Sequence, residues 1–278
     1  MHKTIKLTPD FHQALDTMDK QIISARMSGG PKKTRITVMD ADTGEVHGVF
    51  ENKVVITGSM LSACDIFGIP LPATLPSYNA EMELNNSHEP GTQPKNSPIV
   101  CLFCIDDSGC GAEQKDVFVA NYIDRIDPKN IMPFRYVDHG TLGKDQREVY
   151  FGEKTLDNGK DAYYFKKFDT TPELHLRYTD GTQINEQMYK VDTEQTAECF
   201  VESKLTVNRL DLRDYMEQVL GWDKARVSSI SLCYAWYDDE IGDFRYYQDI
   251  FPYTKLNFSV EWLVDLTKAI TFIYDVFY

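Results

Sequence analysis

Ser229-Ile230-Ser231-Leu232-Cys233-Tyr234-Ala235-Trp236-Tyr237 alternates small and large side chains along its whole length. Successive strand residues point to opposite faces, so Ile230, Leu232, Tyr234 and Trp236 share one side. The acidic run Asp238-Asp239-Glu240-Ile241-Gly242-Asp243 supplies a turn, with Gly242 able to take a positive φ. A second strand runs from Phe244 to Phe251, and Pro252 stops it. The chain closes on Ile270-Thr271-Phe272-Ile273-Tyr274-Asp275-Val276-Phe277-Tyr278, again alternating and β-prone. A bare edge this apolar would be a hazard, so the segment is expected to pair inside a sheet.

Working back from there, residues 195–207 carry the longest alternation. Ala197, Cys199, Val201, Ser203, Leu205 and Val207 fall on one face, and Glu198, Glu202 and Lys204 on the other with Phe200. One dry side and one wet side is the pattern of an antiparallel sheet. Residues 148–151 and 161–168 read as strands joined by Asp157-Asn158-Gly159, a hairpin signal. Ile99–Ile105 and Val117–Ile126 extend further strands around the turn Asp106-Asp107-Ser108-Gly109. Thr34–Asp40 and Glu45–Glu51 form a hairpin about Ala41-Asp42-Thr43-Gly44, followed by a brief strand from Asn52 to Gly58.

Helices interrupt this pattern. Residues 8–28 form an amphipathic helix with Phe11, Leu15, Met18 and Ile22 along one stripe, ended by Gly29-Gly30-Pro31. Two readings stand for it: a helix packed on its own domain, or an arm gripping a neighbouring subunit. Ser59 is expected to cap a short helix closed by Gly68, and Asn208 one closed by Gly221. Six prolines between Pro70 and Pro98 mark a long loop, taken as an interface element with Tyr78 and Leu84 as candidates. The expected fold is mainly β (α+β), an antiparallel β-sandwich with an N-terminal helix and two short inserted helices. It divides into an arm, 1–30, and one β-rich domain, 31–278.

A net charge of −14 disfavours direct binding to nucleic acid or to an anionic membrane, since both require clustered cations. No stretch reaches the roughly 18 apolar residues of a membrane-spanning helix. The N-terminus carries no apolar core of secretory length. The six cysteines do not form a small secreted framework, so reduced thiols and cytoplasmic synthesis are expected.

Cys101, Cys104 and Cys110 invite a zinc reading by their spacing, with Cys64, His88 or His139 as a fourth ligand. Strand residues three apart face opposite sides, so ordinary thiols are the preferred reading and no metal or cofactor is assigned. Asp238, Asp239 and Glu240 are the dense carboxylate cluster, but a glycosidase needs two carboxylates held across a sugar, and a solvated turn fits better. No nucleophile–base pair, phosphate loop or dinucleotide fingerprint is present, which argues against an enzyme. Trp222, Trp236 and Trp262 are the residues on which a receptor- or carbohydrate-binding module would stack its ligand.

Two separated stretches carry a resemblance. Thr43-Gly44-Glu45-Val46, with Glu51-Asn52-Lys53-Val54-Val55-Ile56-Thr57-Gly58 and the helix after it, resembles the opening of tailed-bacteriophage virion proteins. Ile230-Ser231-Leu232, the acidic turn, Tyr247-Gln248-Asp249-Ile250-Phe251-Pro252, Thr254-Lys255 and the closing Ile270–Tyr274 strand are similar to their ending. The match covers about a quarter of the chain, and residues 70–110 depart from the shorter glycine-rich passage usual there. The resemblance implies a β-sandwich structural component of a tail, baseplate or neck. It further implies a homo-oligomer among other virion proteins, assembled in the host bacterial cytoplasm, with no catalytic residues to carry over.

Overall fold

The alternating stretch is a strand in the computed structural model, which describes residues 33–68, 77–85, 99–110, 125–178, 197–208, 210–221, 227–238, 246–258 and 269–278. Along the chain come β1 (Lys33–Asp40), β2 (Val46–Val54), α1 (Ile56–Phe67), α2 (Tyr78–Met82) and β3 (Ile99–Asp106). A 3-10 turn (Pro128–Asn130), β4 (Arg135–Asp138), α3 (Lys144–Arg147), β5 (Tyr150–Thr155), β6 (Lys160–Lys167), β7 (Glu173–Tyr178) and β8 (Ala197–Val207) follow. Last are α4 (Arg213–Tyr215), running into a π-helical turn (Met216–Leu220), then β9 (Ser229–Asp238), β10 (Tyr246–Pro252), β11 (Thr254–Asn257) and β12 (Ile270–Phe277).

The strands are mostly antiparallel and build two packed sheets, a β-sandwich. One layer runs β2-β1-β12-β8-β7. The other runs β11-β9-β3-β6-β4, with β10 beside β9 and β5 beside β6, and the β11–β2 pairing joins the two. The closing strand is paired as expected: β12 lies between β1 and β8, with Phe272 opposite Val38 and Leu205. β9 lies between β3 on one edge and β10 and β11 on the other.

The alternation of β9 sorts its side chains as its sequence dictates. Ile230, Leu232 and Tyr234 enter the core between the layers, with Ile36, Val38, Phe103, Leu205, Phe272 and Tyr274. Cys233 and Ala235 face the opposite way, into a second cluster with Leu102, Cys104, Tyr78, Met82 and Ile250. β3 and β9 are therefore covered on both faces, which is why β3 reads as an almost unbroken apolar run.

Several expectations change. The strand predicted through Gly58 ends at Val54, and α1 begins at Ile56 without a side-chain cap. A Cβ on Gly58 would fall within van der Waals overlap of the Tyr253 carbonyl, so close packing of α1 on that backbone decides the matter over β-propensity. Gly68 does close the helix in the left-handed region, φ 61°. Within the proline-rich passage, Ser77 caps α2 by accepting from the Ala80 N–H. Tyr78 and Leu84, expected at an interface, are buried within this chain. The Tyr78 hydroxyl donates to the Ile126 carbonyl at 3.0 Å, so both residues are occupied by the domain's own core. Phe11, Leu15, Met18 and Ile22, the N-terminal arm, Trp222, Trp262, Asp239 and Glu240 lie outside the described residues.

Candidate functional site

Strand β6 carries two deeply buried charges of the second layer, Asp161 and Lys166. Its register places Lys166 opposite Tyr150 of β5 and Phe103 of β3, and Asp161 opposite Thr155 of β5 and Val137 of β4. Near one end, Lys166 donates to Asp211 Oδ2 at 2.7 Å and to the Thr206 carbonyl at 2.5 Å. The Tyr150 hydroxyl donates to Asp211 Oδ1 at 2.7 Å, and the Asn208 N–H donates to Oδ2 at 2.8 Å. Asn208 was expected to cap a helix. Its side chain instead accepts from the Leu210 and Asp211 N–H groups, which folds the turn that drives Asp211 inward. Burial, then the Asp211 charge, raises the Tyr150 phenol well above its ordinary value. Every donor and acceptor here has a partner inside the fold, which is the arrangement of a structural pin.

Near the other end of β6, the geometry is looser. The β5–β6 hairpin turns at Gly159, φ 78°, and the Gly159 carbonyl accepts the His139 N–H at 3.1 Å. That bond brings the residue after β4 against the hairpin. Asp161, fully buried, accepts from His139 Nδ1 at 2.8 Å and Thr155 Oγ1 at 3.0 Å through Oδ1, and from the Gly140 N–H at 2.9 Å through Oδ2. Glu153 lies two residues before Thr155, opposite Tyr163. His139, Glu153 and Asp161 each offer one ligand atom within 4.8 Å of the others. The His139 ring is 65% exposed, so solvent reaches the group from that side.

The charges around this corner shape one another. The bond to Asp161, then its charge, raises the His139 imidazole above its usual value. Burial alone would raise Asp161, but the bonds from His139, the Gly140 N–H and Thr155 hold it below the ordinary carboxylate range. Burial, then the Asp161 charge, raises Glu153. Burial, then the Glu153 charge, raises the Tyr163 phenol in turn, and its interaction with Glu153 pulls that carboxyl part of the way back down.

The cysteines whose spacing invites zinc take separate places in the fold. Cys101 is the extra residue of a bulge in β3, where Val100 pairs with Tyr234 and Leu102 with Cys233. The bulge turns Cys101 to the side of Cys104, contrary to the opposite-face expectation, and both enter the cluster beneath α2. The Cys104 sulfur lies 3.7 Å from that of Cys233. Among the described residues, Cys101, Cys104 and Cys110 do not form a metal-ligand group. His139, weighed only as a distant fourth ligand to those thiols, instead belongs to the carboxylate corner.

Comparison with protein families, with characterised proteins and with solved structures finds no match for this chain.

Proposed function

We propose that the chain is a structural component of a bacteriophage particle, in the tail, baseplate or neck, and acts through protein–protein assembly rather than turnover. The reading rests on the resemblance at both ends and on one feature of the first layer. β2 carries a bulge, with Gly48 opposite Val38 but Val46 opposite Met39. The extra residue, His47, brings Val46 and Val49 to the same face of the sheet although they are three apart. They are 55% and 58% exposed, beside half-buried Met39 and, through Thr37, Ile273 of β12. An outward valine pair on a sheet suits contact with another copy of the chain, the homo-oligomer expected of such a component. The strong negative charge supports neighbours other than nucleic acid.

The test is size in solution, by light scattering after gel filtration, together with co-sedimentation with phage particles from a lysate. The wild type should self-associate and travel with particles. A Val46→Asp/Val49→Asp variant should run smaller with an unchanged melting curve. A wild type that stays monomeric at high concentration and never sediments with particles would overturn the proposal.

A further inference from the structure

We propose that His139, Glu153 and Asp161 bind a divalent first-row transition ion such as Zn²⁺ or Mn²⁺, which ties β4, β5 and β6 together at the open end of the hairpin. The donor set is one imidazole nitrogen and two carboxylate oxygens, a mixture that suits these ions, whereas Ca²⁺ and Mg²⁺ prefer all-oxygen shells. His139 Nδ1 and Asp161 Oδ1 are already 2.8 Å apart. Neighbouring ligands of a six-coordinate ion with arms of about 2.1 Å are separated by about 3.0 Å. An ion can therefore take the place of the shared proton with little movement of either group, once the imidazole proton sits on Nε2.

Glu153 has farther to come, from within 4.8 Å, and a side-chain rotation closes that gap. Asp161 retains capacity: a carboxylate has about four acceptor positions, and three bonds are made here, one of them the bond that the ion replaces. The Gly140 N–H and Thr155 hydroxyl would then act as the outer bonds that fix a ligating carboxylate.

A second observation points the same way. The hydroxyl of Tyr163, a residue only 2% exposed, faces the Glu153 and Asp161 charges and interacts with the Glu153 carboxylate, so it would steady that ligand from behind. The exposed side of His139 provides the entry path. Arg147 opposes binding, since its positive charge reaches His139 and Glu153.

The test is titration of ZnCl₂ into chelator-stripped, full-length protein at neutral pH, followed by calorimetry and by elemental analysis after desalting. Wild type should take up one ion per chain at this site, and its melting temperature should rise with added Zn²⁺. His139→Ala and Glu153→Gln should each weaken that binding by about tenfold or more; in the presence of chelator Glu153→Gln should melt like wild type and His139→Ala, which takes a bond from buried Asp161, somewhat lower. Because the chain holds six cysteines, Co²⁺ serves as a second probe: the bound ion should lack the intense near-ultraviolet absorption of thiolate ligation. A wild type that binds no ion, a variant of either kind that binds as tightly as wild type, or a thiolate band that tracks the bound ion would each overturn the proposal.

Discussion

The two ends of β6 bury charge in different ways. Lys166 is nearly inaccessible and Asp211 wholly so, and their bonds to Thr206, Tyr150 and Asn208 all lie inside the fold. Asp161 is as deeply buried, but its chief partner, His139, stands mostly in solvent. A closed network spends all its electrostatics on holding the fold. An open one keeps capacity for something outside the chain. The same strand thus separates a structural pin sealed inside the fold from a corner that solvent and a ligand can reach.

The largest test of that contrast is at the closed end. Replacing Lys166 by Met leaves Asp211 charged and stranded, which should cost about 3–5 kcal/mol in urea denaturation. The paired change Lys166→Met/Asp211→Asn removes both charges while keeping an acceptor for the Tyr150 hydroxyl and the Asn208 N–H, and should recover much of that loss. A single variant no less stable than the double would show that the lysine end is not a coupled pin.

Gly152 of β5 offers an intermediate test, because it lies between Tyr150, which serves the closed end, and Glu153, which serves the open one. Its φ is 67°, and an added Cβ would overlap the Phe165 ring. That ring is packed against Tyr78, with centroids 5.7 Å apart, and has little room to retreat. Gly152→Ala should therefore cost on the order of 1–3 kcal/mol in the same measurement. It should also loosen Zn²⁺ binding through Glu153. A loss of stability with unchanged ion uptake would mean that the two ends are mechanically separate.

Much of this architecture was legible because it is local. β8, β9, β12 and the Asn158-Gly159 hairpin follow from alternation and turn chemistry within a few residues of each other. β4 has only four residues and β7 only six, too short to show a period against the polar residues within them. The start of α1 is set by contact with Tyr253, nearly two hundred positions away, which propensity does not register. The opposite-face reading of Cys101 and Cys104 failed on a bulge, and a single inserted residue reverses a face without leaving a mark in the sequence. His139, Glu153 and Asp161 belong to no motif, and only the register of three strands brings them together. One signal was available: Asp161 opens the run Ala162-Tyr163-Tyr164-Phe165, where a carboxylate in a strand headed for burial must find partners.

Asp275 places a third buried carboxylate between these extremes. Its Oδ2 accepts from Arg35 Nε at 2.8 Å and Nη2 at 2.5 Å, while Oδ1 is buried with no partner among the described residues. Burial raises this carboxyl above the ordinary range, and the lowering effect of Arg35 does not make up the difference. A carboxyl whose folded-state pKa exceeds its unfolded value holds its proton more tightly when folded. Its contribution therefore favours the fold at low pH and is lost as pH rises through the folded pKa. Asp275→Asn abolishes this titration. The stability of wild type relative to the variant should accordingly improve as pH falls from neutral toward the usual aspartate range. Near neutrality the variant should lose little, since Arg35 still stacks over the Phe277 ring at 5.1 Å. Melting curves of the two proteins across that range supply the check. The opposite slope would mean that Arg35 outweighs burial, and Asp275 would then belong with the closed carboxylate of Asp211 rather than partway toward the open one.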